Sequence, residues 1–187
     1  LCRPRPVSAV VALVTGGSGS GKSAWAEGLS CTLCPGPKRY LATMRPFGEE
    51  AQRRIARHRA MRAHKGFDTL ECPDGLDGLP ISPSDTVLLE DLSNLVANRL
   101  FSPQCPEHCG DVLWSELSAL ADRCTHLVVV SNEITSDGIE YDPSTQAFLA
   151  LLGELDRKLA RRADLVVEVV CGLPLVLKGE IPCSTPS

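Results

Sequence analysis

From Ala9 to Ser23 the sequence reads AVVALVTGGSGSGKS, and the architecture is worked out from this stretch. Val10, Val11, Ala12, Leu13 and Val14 form an apolar, β-branched run that suits a strand buried on both faces. Gly16, Gly17, Ser18, Gly19, Ser20, Gly21, Lys22 and Ser23 follow directly and match the phosphate-loop pattern G-x-x-x-x-G-K-[ST] in full. Glycines let the backbone turn successive N–H groups toward phosphate oxygens, and the positive end of the next helix adds to that field. Lys22 then reaches the β- and γ-phosphates, and the Ser23 hydroxyl is placed to ligate Mg²⁺. A strand before the loop and a helix after it, through Trp25 and Leu29, complete the expected context. The chain is expected to bind a nucleoside triphosphate.

The 187 residues fit one domain, expected over residues 9–180, between a loose leader at 1–8 and a tail at 181–187. At 43% hydrophobic and 22% charged residues, neither disorder nor a fibrous repeat is indicated. Val10–Val14, Leu127–Val130 and Leu165–Cys171 are the longest apolar runs and are too short to span a bilayer. No cleavage-site pattern accompanies the first run, so a cytoplasmic protein without a membrane partner is expected. A net charge of −4 argues against nucleic acid as the partner. The bases are nonetheless crowded into Arg53–Lys65, either as a solvated helix face or, in a nucleotide-binding protein, as a second phosphate-contacting surface. Nine cysteines raise the question of zinc, with Cys31-x-x-Cys34 and Cys105-x-x-x-Cys109 beside His108 as partial ligand spacings. Both pairs fall in proline-rich connecting segments with no second pair at finger spacing, so loop and core thiols are the preferred reading.

Strands are expected at Arg39–Met44, Phe67–Cys72, Thr86–Leu89, Leu127–Val130, Leu165–Val170 and Leu175–Lys178. Helices are expected over Glu49–Lys65, Leu92–Leu100, Val112–Cys124 and Ser144–Arg162. Phe148, Leu151, Leu152, Leu155 and Leu159 recur at helical spacing, as core or subunit interface. Strands alternating with helices imply an α/β fold with a mostly parallel central sheet flanked by helices, a RecA-like P-loop NTPase. Ligands in such sheets lie beyond the carboxyl ends of the strands, where Lys22, Thr43, Glu90 and Glu133 all fall. Glu90 ends an apolar strand, the form of an acid that holds Mg²⁺ or its water shell. Ile134–Pro143 is polar and glycine-containing, an expected active-site loop.

The order TGGSGSGKS, YLAT, RIARHR, TLE, LLEDLSNLVAN, VVVSNE and ADLVVEVVCGLPLVLK resembles the bifunctional adenosylcobinamide kinase/adenosylcobinamide-phosphate guanylyltransferase family of cobalamin biosynthesis, from about Leu13 to Lys178. The resemblance implies two reactions. ATP or GTP phosphorylates the aminopropanol hydroxyl of adenosylcobinamide, and GTP then donates GMP through a guanylyl-histidine to give adenosylcobinamide-GDP and pyrophosphate. It places the nucleophile at His58, with His64 as the competing histidine. It also implies a nucleotide site lined by Ala42, Thr43 and Met44, by Arg59, Ala60, Met61 and Arg62, and by the acids Glu71 and Glu90. Family precedent implies a homotrimer.

The residue chemistry is compatible with these roles. A neutral imidazole can attack an α-phosphorus without a dedicated base. Arg54, His58 and Arg62, four residues apart, share one helix stripe where phosphate oxygens could meet all three. Carboxylates can accept from a guanine edge or from ribose hydroxyls, so base selection is open to either Glu71 or Glu90. Two features depart from the family. Many members carry SNEVGxGIVP and then Gly-x-x-Asn, where this chain has Ser131–Pro143 (SNEITSDGIEYDP) and Gly153-Glu154-Leu155-Asp156. The readings in competition are a P-loop kinase without guanylyl transfer and a regulatory nucleotide switch.

Overall fold

The β-branched run at Val10 extends into strand β1 (Val10–Gly16), and the glycine loop delivers the chain into helix α1 (Lys22–Leu33). There follow β2 (Lys38–Ala42), α2 (Gly48–Ala63), β3 (Phe67–Glu71), β4 (Thr86–Glu90), α3 (Leu92–Leu100) and α4 (Cys109–Arg123). β5 (His126–Asn132), α5 (Pro143–Arg162), β6 (Leu165–Val170) and β7 (Leu173–Lys178) complete the chain. The structure, a computed structural model, describes residues 9–45, 48–134 and 141–182, and for residues 48, 50, 51, 54, 57, 58 and 61 the backbone alone. The expected leader at 1–8, residues 135–140 of the expected active-site loop and the last five residues of the expected tail lie outside the described residues.

The seven strands form one sheet in the order β3-β2-β4-β5-β1-β6-β7. Every neighbouring pair is parallel except β6 with β7. Parallel neighbours need crossovers, and the helices that supply them cover both faces of the sheet. Strand alternation then divides the core in two. Leu13, Leu41, Leu89 and Val129 face α3, α4 and α5, whereas Ala12, Val14, Leu88 and Val128 face α1. β4 is separated from β1 by β5, so the acid ending β4 reaches the phosphate loop from two strands away.

Side-chain caps mark the starts of α3, where Asp91 accepts from the Asn94 N–H, and of α5. Asp142 accepts from the Ser144 and Thr145 N–H groups at 2.9 and 3.2 Å, with Pro143 in the first turn of α5. The leucine stripe of α5 is core: Leu152, Leu155 and Leu159 are buried beneath it. The open apolar surface lies elsewhere, on the edge strand β7, where Leu173 is 69% and Leu177 63% exposed.

The cysteine segments differ from expectation. Cys31 lies inside α1 and Cys109 opens α4, the latter drawn into the core by its apolar contacts. Cys72, Cys109 and Cys124 are buried thiols, and burial pushes Cys72 up to about 12. Among the described residues no group of three or more His, Cys, Asp or Glu side chains is arranged to hold a metal ion. No described helix is long and apolar enough to cross a membrane.

Candidate active site

The phosphate loop is shaped by close backbone approaches on its β6–β7 side. A Cβ at Gly16 would stand 2.6 Å from the Val169 carbonyl oxygen. Gly21, at φ 90°, would bring one to 3.2 Å from Gly172 Cα. The Gly172 N–H donates to the Ser20 carbonyl at 2.8 Å, so the β6–β7 turn is fastened to the loop. Helix α1 begins at Gly21 without a side-chain cap, which leaves its first N–H groups facing the site where an anion would sit. Lys22 is buried, with Nζ donating to the Gly17 carbonyl at 3.0 Å.

The Ser23 hydroxyl donates directly to Glu90 Oε1. Burial raises the Glu90 pKa, with Asp91 and Glu27 adding to the effect and the Ser23 and Tyr40 hydroxyls opposing it. Its second oxygen, Oε2, is buried and has no hydrogen-bond partner among the described residues. A hydroxyl beside a carboxylate with an unmatched oxygen is a donor set suited to a small hard cation.

Next to Glu90 opens a cavity of about 420 Å³. α1 contributes Ser23 and Glu27 to its wall, and β2 contributes Tyr40 and Ala42, followed by Met44. Glu71 and Glu90 come from the ends of β3 and β4, Asp91 and Asn94 from the start of α3, and Ile55 and Arg62 from α2. Arg62 is 8% exposed, and its guanidinium lies 3.6 Å from the centre of the Tyr40 ring. Arg59 pairs with Glu71 at 2.5 Å.

Of the residues expected at a nucleotide site, the structure thus gathers Ser23, Ala42, Met44, Arg62, Glu71 and Glu90 around one cavity. Thr43 sits beside them, bonded to the backbone of Asp91, another residue of the cavity wall. Its hydroxyl accepts from the Asp91 N–H at 2.7 Å and donates to the Asp91 carbonyl at 2.8 Å, so it ties β2 to the start of α3. Ala60 is exposed on α2. His58 stands on the same helix, one turn before Arg62, while the side chains of His58 and Met61 lie outside the described residues. Tyr40, Glu27, Asp91 and Asn94 were not legible as site residues. Tyr40 shares a strand face with Ala42 by simple alternation, which was the available signal.

A parallel sheet with this strand order, a phosphate loop after β1 and an acid ending β4 define a P-loop NTPase of RecA-like build. The family model for cobinamide kinase / cobinamide phosphate guanyltransferase matches residues 12–177, and the chain belongs to that family. It is 33% identical to the bifunctional adenosylcobalamin biosynthesis protein CobU of Salmonella typhimurium, covering 89% of this chain and 98% of that protein. It is 32% identical to the bifunctional adenosylcobalamin biosynthesis protein CobP of Pseudomonas aeruginosa, covering 90% and 97%. Among solved structures, flagellar accessory protein FlaH of Methanocaldococcus jannaschii is similar in fold, with a TM-score of 0.53 at 10% identity over 92% of this chain and 79% of that one.

Proposed function

We propose that this protein phosphorylates the aminopropanol hydroxyl of adenosylcobinamide with ATP or GTP, then transfers GMP from GTP through His58 to give adenosylcobinamide-GDP. Membership of the family supports the pair of reactions. The observation that carries the reading in this chain is the cavity itself. It joins Ser23 and Glu90 to Arg62, on the helix that bears His58.

In the first reaction the substrate hydroxyl attacks the γ-phosphorus. The new O–P bond forms as the β–γ bridge breaks, the nucleoside diphosphate leaves, and the hydroxyl proton is released. Lys22 and the uncapped N–H groups of α1 hold the charge that develops on the phosphoryl oxygens. In the second, an imidazole nitrogen of His58 attacks the α-phosphorus of GTP and displaces pyrophosphate. A phosphate oxygen of the first product then attacks the same phosphorus, the N–P bond breaks, and the imidazole is regenerated. Arg62 lines the cavity beside the transferred group, where the family resemblance also puts Arg59 and Met61, while Ala42, Met44 and Glu71 offer the base or ribose an apolar wall and an acceptor.

Ser23 and Glu90 fit Mg²⁺, with a hydroxyl and a buried carboxylate as the oxygen donors. Bound there, the ion would neutralise charge across the β- and γ-phosphates. We place the enzyme in the cytoplasm as a homotrimer, with the exposed Leu173, Leu175 and Leu177 of β7 as the contact between copies. In that case Leu175→Asp with Leu177→Asp yields monomers by light scattering.

Incubation with α-labelled GTP and Mg²⁺ tests the transfer. An acid-labile, base-stable label on the protein that is absent from His58→Ala supports it, and no label on the wild-type chain leaves a kinase without guanylyl transfer. Release of pyrophosphate that depends on cobinamide phosphate rejects a regulatory switch. Full kinase activity in Lys22→Ala would overturn the assignment of the phosphoryl site.

A further inference from the structure

Arg62 is a buried cation without an anion. Among the described residues it makes no ion pair, and its Nε has no hydrogen-bond partner. Glu90, which lines the same cavity, is a buried anion whose Oε2 is equally unmatched. Two opposite charges that share one cavity in a low-dielectric setting attract strongly, and a direct pair would satisfy both. Something holds them apart.

Tyr40 adjoins both of them. Ala42 and Glu90 are register partners on β2 and β4, and Tyr40 is two residues before Ala42 on the same face. The ring supports the Arg62 guanidinium at 3.6 Å from its centroid, and the Tyr40 hydroxyl lies beside the Glu90 carboxylate. The ring is itself fixed, 5% exposed and packed edge-on against Phe67 at 6.1 Å between centroids. An aromatic face offers the guanidinium partial compensation without neutralising it.

We propose that Tyr40 is a positioning residue that prevents Arg62 from closing onto Glu90. By occupying the space between them it keeps the guanidinium on the cavity wall for a nucleotide phosphate and leaves Glu90 to Ser23 and the metal. This rests on the proposed role of Glu90 as the acid that serves Mg²⁺. Without the ring, one new ion pair would remove a cation and a metal ligand together.

The test compares the full-length wild-type chain with Tyr40→Ala, Tyr40→Phe and the double variant Tyr40→Ala/Arg62→Ala. Magnesium-dependent ATP binding is read by calorimetry, and kinase turnover is read with cobinamide. Tyr40→Ala is expected to weaken Mg²⁺-dependent ATP binding by about 30-fold, the scale of losing a preorganised charge. The double variant regains about 10-fold of that loss, because no cation is left to capture Glu90. Tyr40→Phe keeps the flat face and retains binding within about 3-fold. A purely structural tyrosine predicts the reverse for the double variant, which would lose a second buried side chain and bind no better than Tyr40→Ala. That result, or wild-type binding by Tyr40→Ala, overturns the proposal. If Tyr40→Ala fails to fold by circular dichroism, the same comparison is made with Tyr40→Leu and Tyr40→Leu/Arg62→Ala. ATP binding needs no acceptor, so failure to phosphorylate cobinamide would refute the proposed function and leave this comparison intact.

Discussion

Ser23 Oγ donates a hydrogen bond to Glu90 Oε1, joining the last residue of the phosphate loop to the last residue of β4 across an intervening strand. The arrangement carries a cost, because one carboxylate oxygen remains buried and unmatched.

Glu90→Gln should therefore separate stability from function. The amide can still accept from Ser23 while removing a buried charge, so without metal the variant is expected to melt at or above the wild-type temperature. The rise in melting temperature that Mg²⁺-ATP confers on the wild-type chain should disappear. Thermal denaturation with and without Mg²⁺-ATP measures both. An undiminished Mg²⁺-ATP shift in the variant would exclude Glu90 from metal binding.

Away from the site, Arg99 and Glu116 form a largely buried ion pair, with side chains 19% and 5% exposed. Glu116 Oε2 also accepts the Leu76 N–H at 2.9 Å, which anchors the loop after β3 to α4. Glu116→Ala leaves both donors unmatched and is expected to cost about 3 kcal/mol. For a chain of this size that lowers the melting temperature by roughly 6–12 °C. Replacing both partners, Arg99→Met with Glu116→Leu, should recover most of the loss. A single variant that melts within about 2 °C of wild type would contradict the pair's importance.

Asp156 sits on α5 near Ser131 and Glu133, and burial raises its pKa from 3.8 to about 6, with Glu133 adding to the rise. The folded pKa lies above the unfolded one, so folding takes up a proton between those values. Stability therefore falls as pH rises from 3.8 to about 6 and levels off above. Asp156→Asn should stabilise the protein by about 1–2 kcal/mol at pH 8, with the gain vanishing near pH 3.5. Denaturant titrations at the two values decide it, and an equal effect at both would exclude titration of Asp156 as the cause.

Much of this molecule was legible from local pattern. The run at Val10, the glycine loop and the acid at Glu90 each carry a signal within a few residues, and their common position at one sheet edge follows from parallel strands. What escaped depends on placement between distant segments. Tyr40 reads as an ordinary strand aromatic until α2 lays Arg62 upon it. Arg99 and Glu116 lie on different helices, and neither spacing nor composition pairs them. Thr43 lies just past the end of β2, and the bonds from its hydroxyl to the Asp91 backbone join segments too distant in the chain for its neighbours to reveal. The leucines of α5 admitted two readings, and only packing distinguishes a core stripe from an interface.

The single antiparallel strand has a practical side. β7 starts at the turn that clasps the phosphate loop and ends with Lys178 opposite Val166, so the backbone leaves the sheet at the rim remote from the nucleotide. Lys178 Nζ is moored there to the carbonyls of Ala160 and Arg161, at 3.1 and 3.0 Å. A fluorophore or affinity handle attached at the exposed Ile181 would follow that edge and stay clear of the strand ends that carry the candidate site.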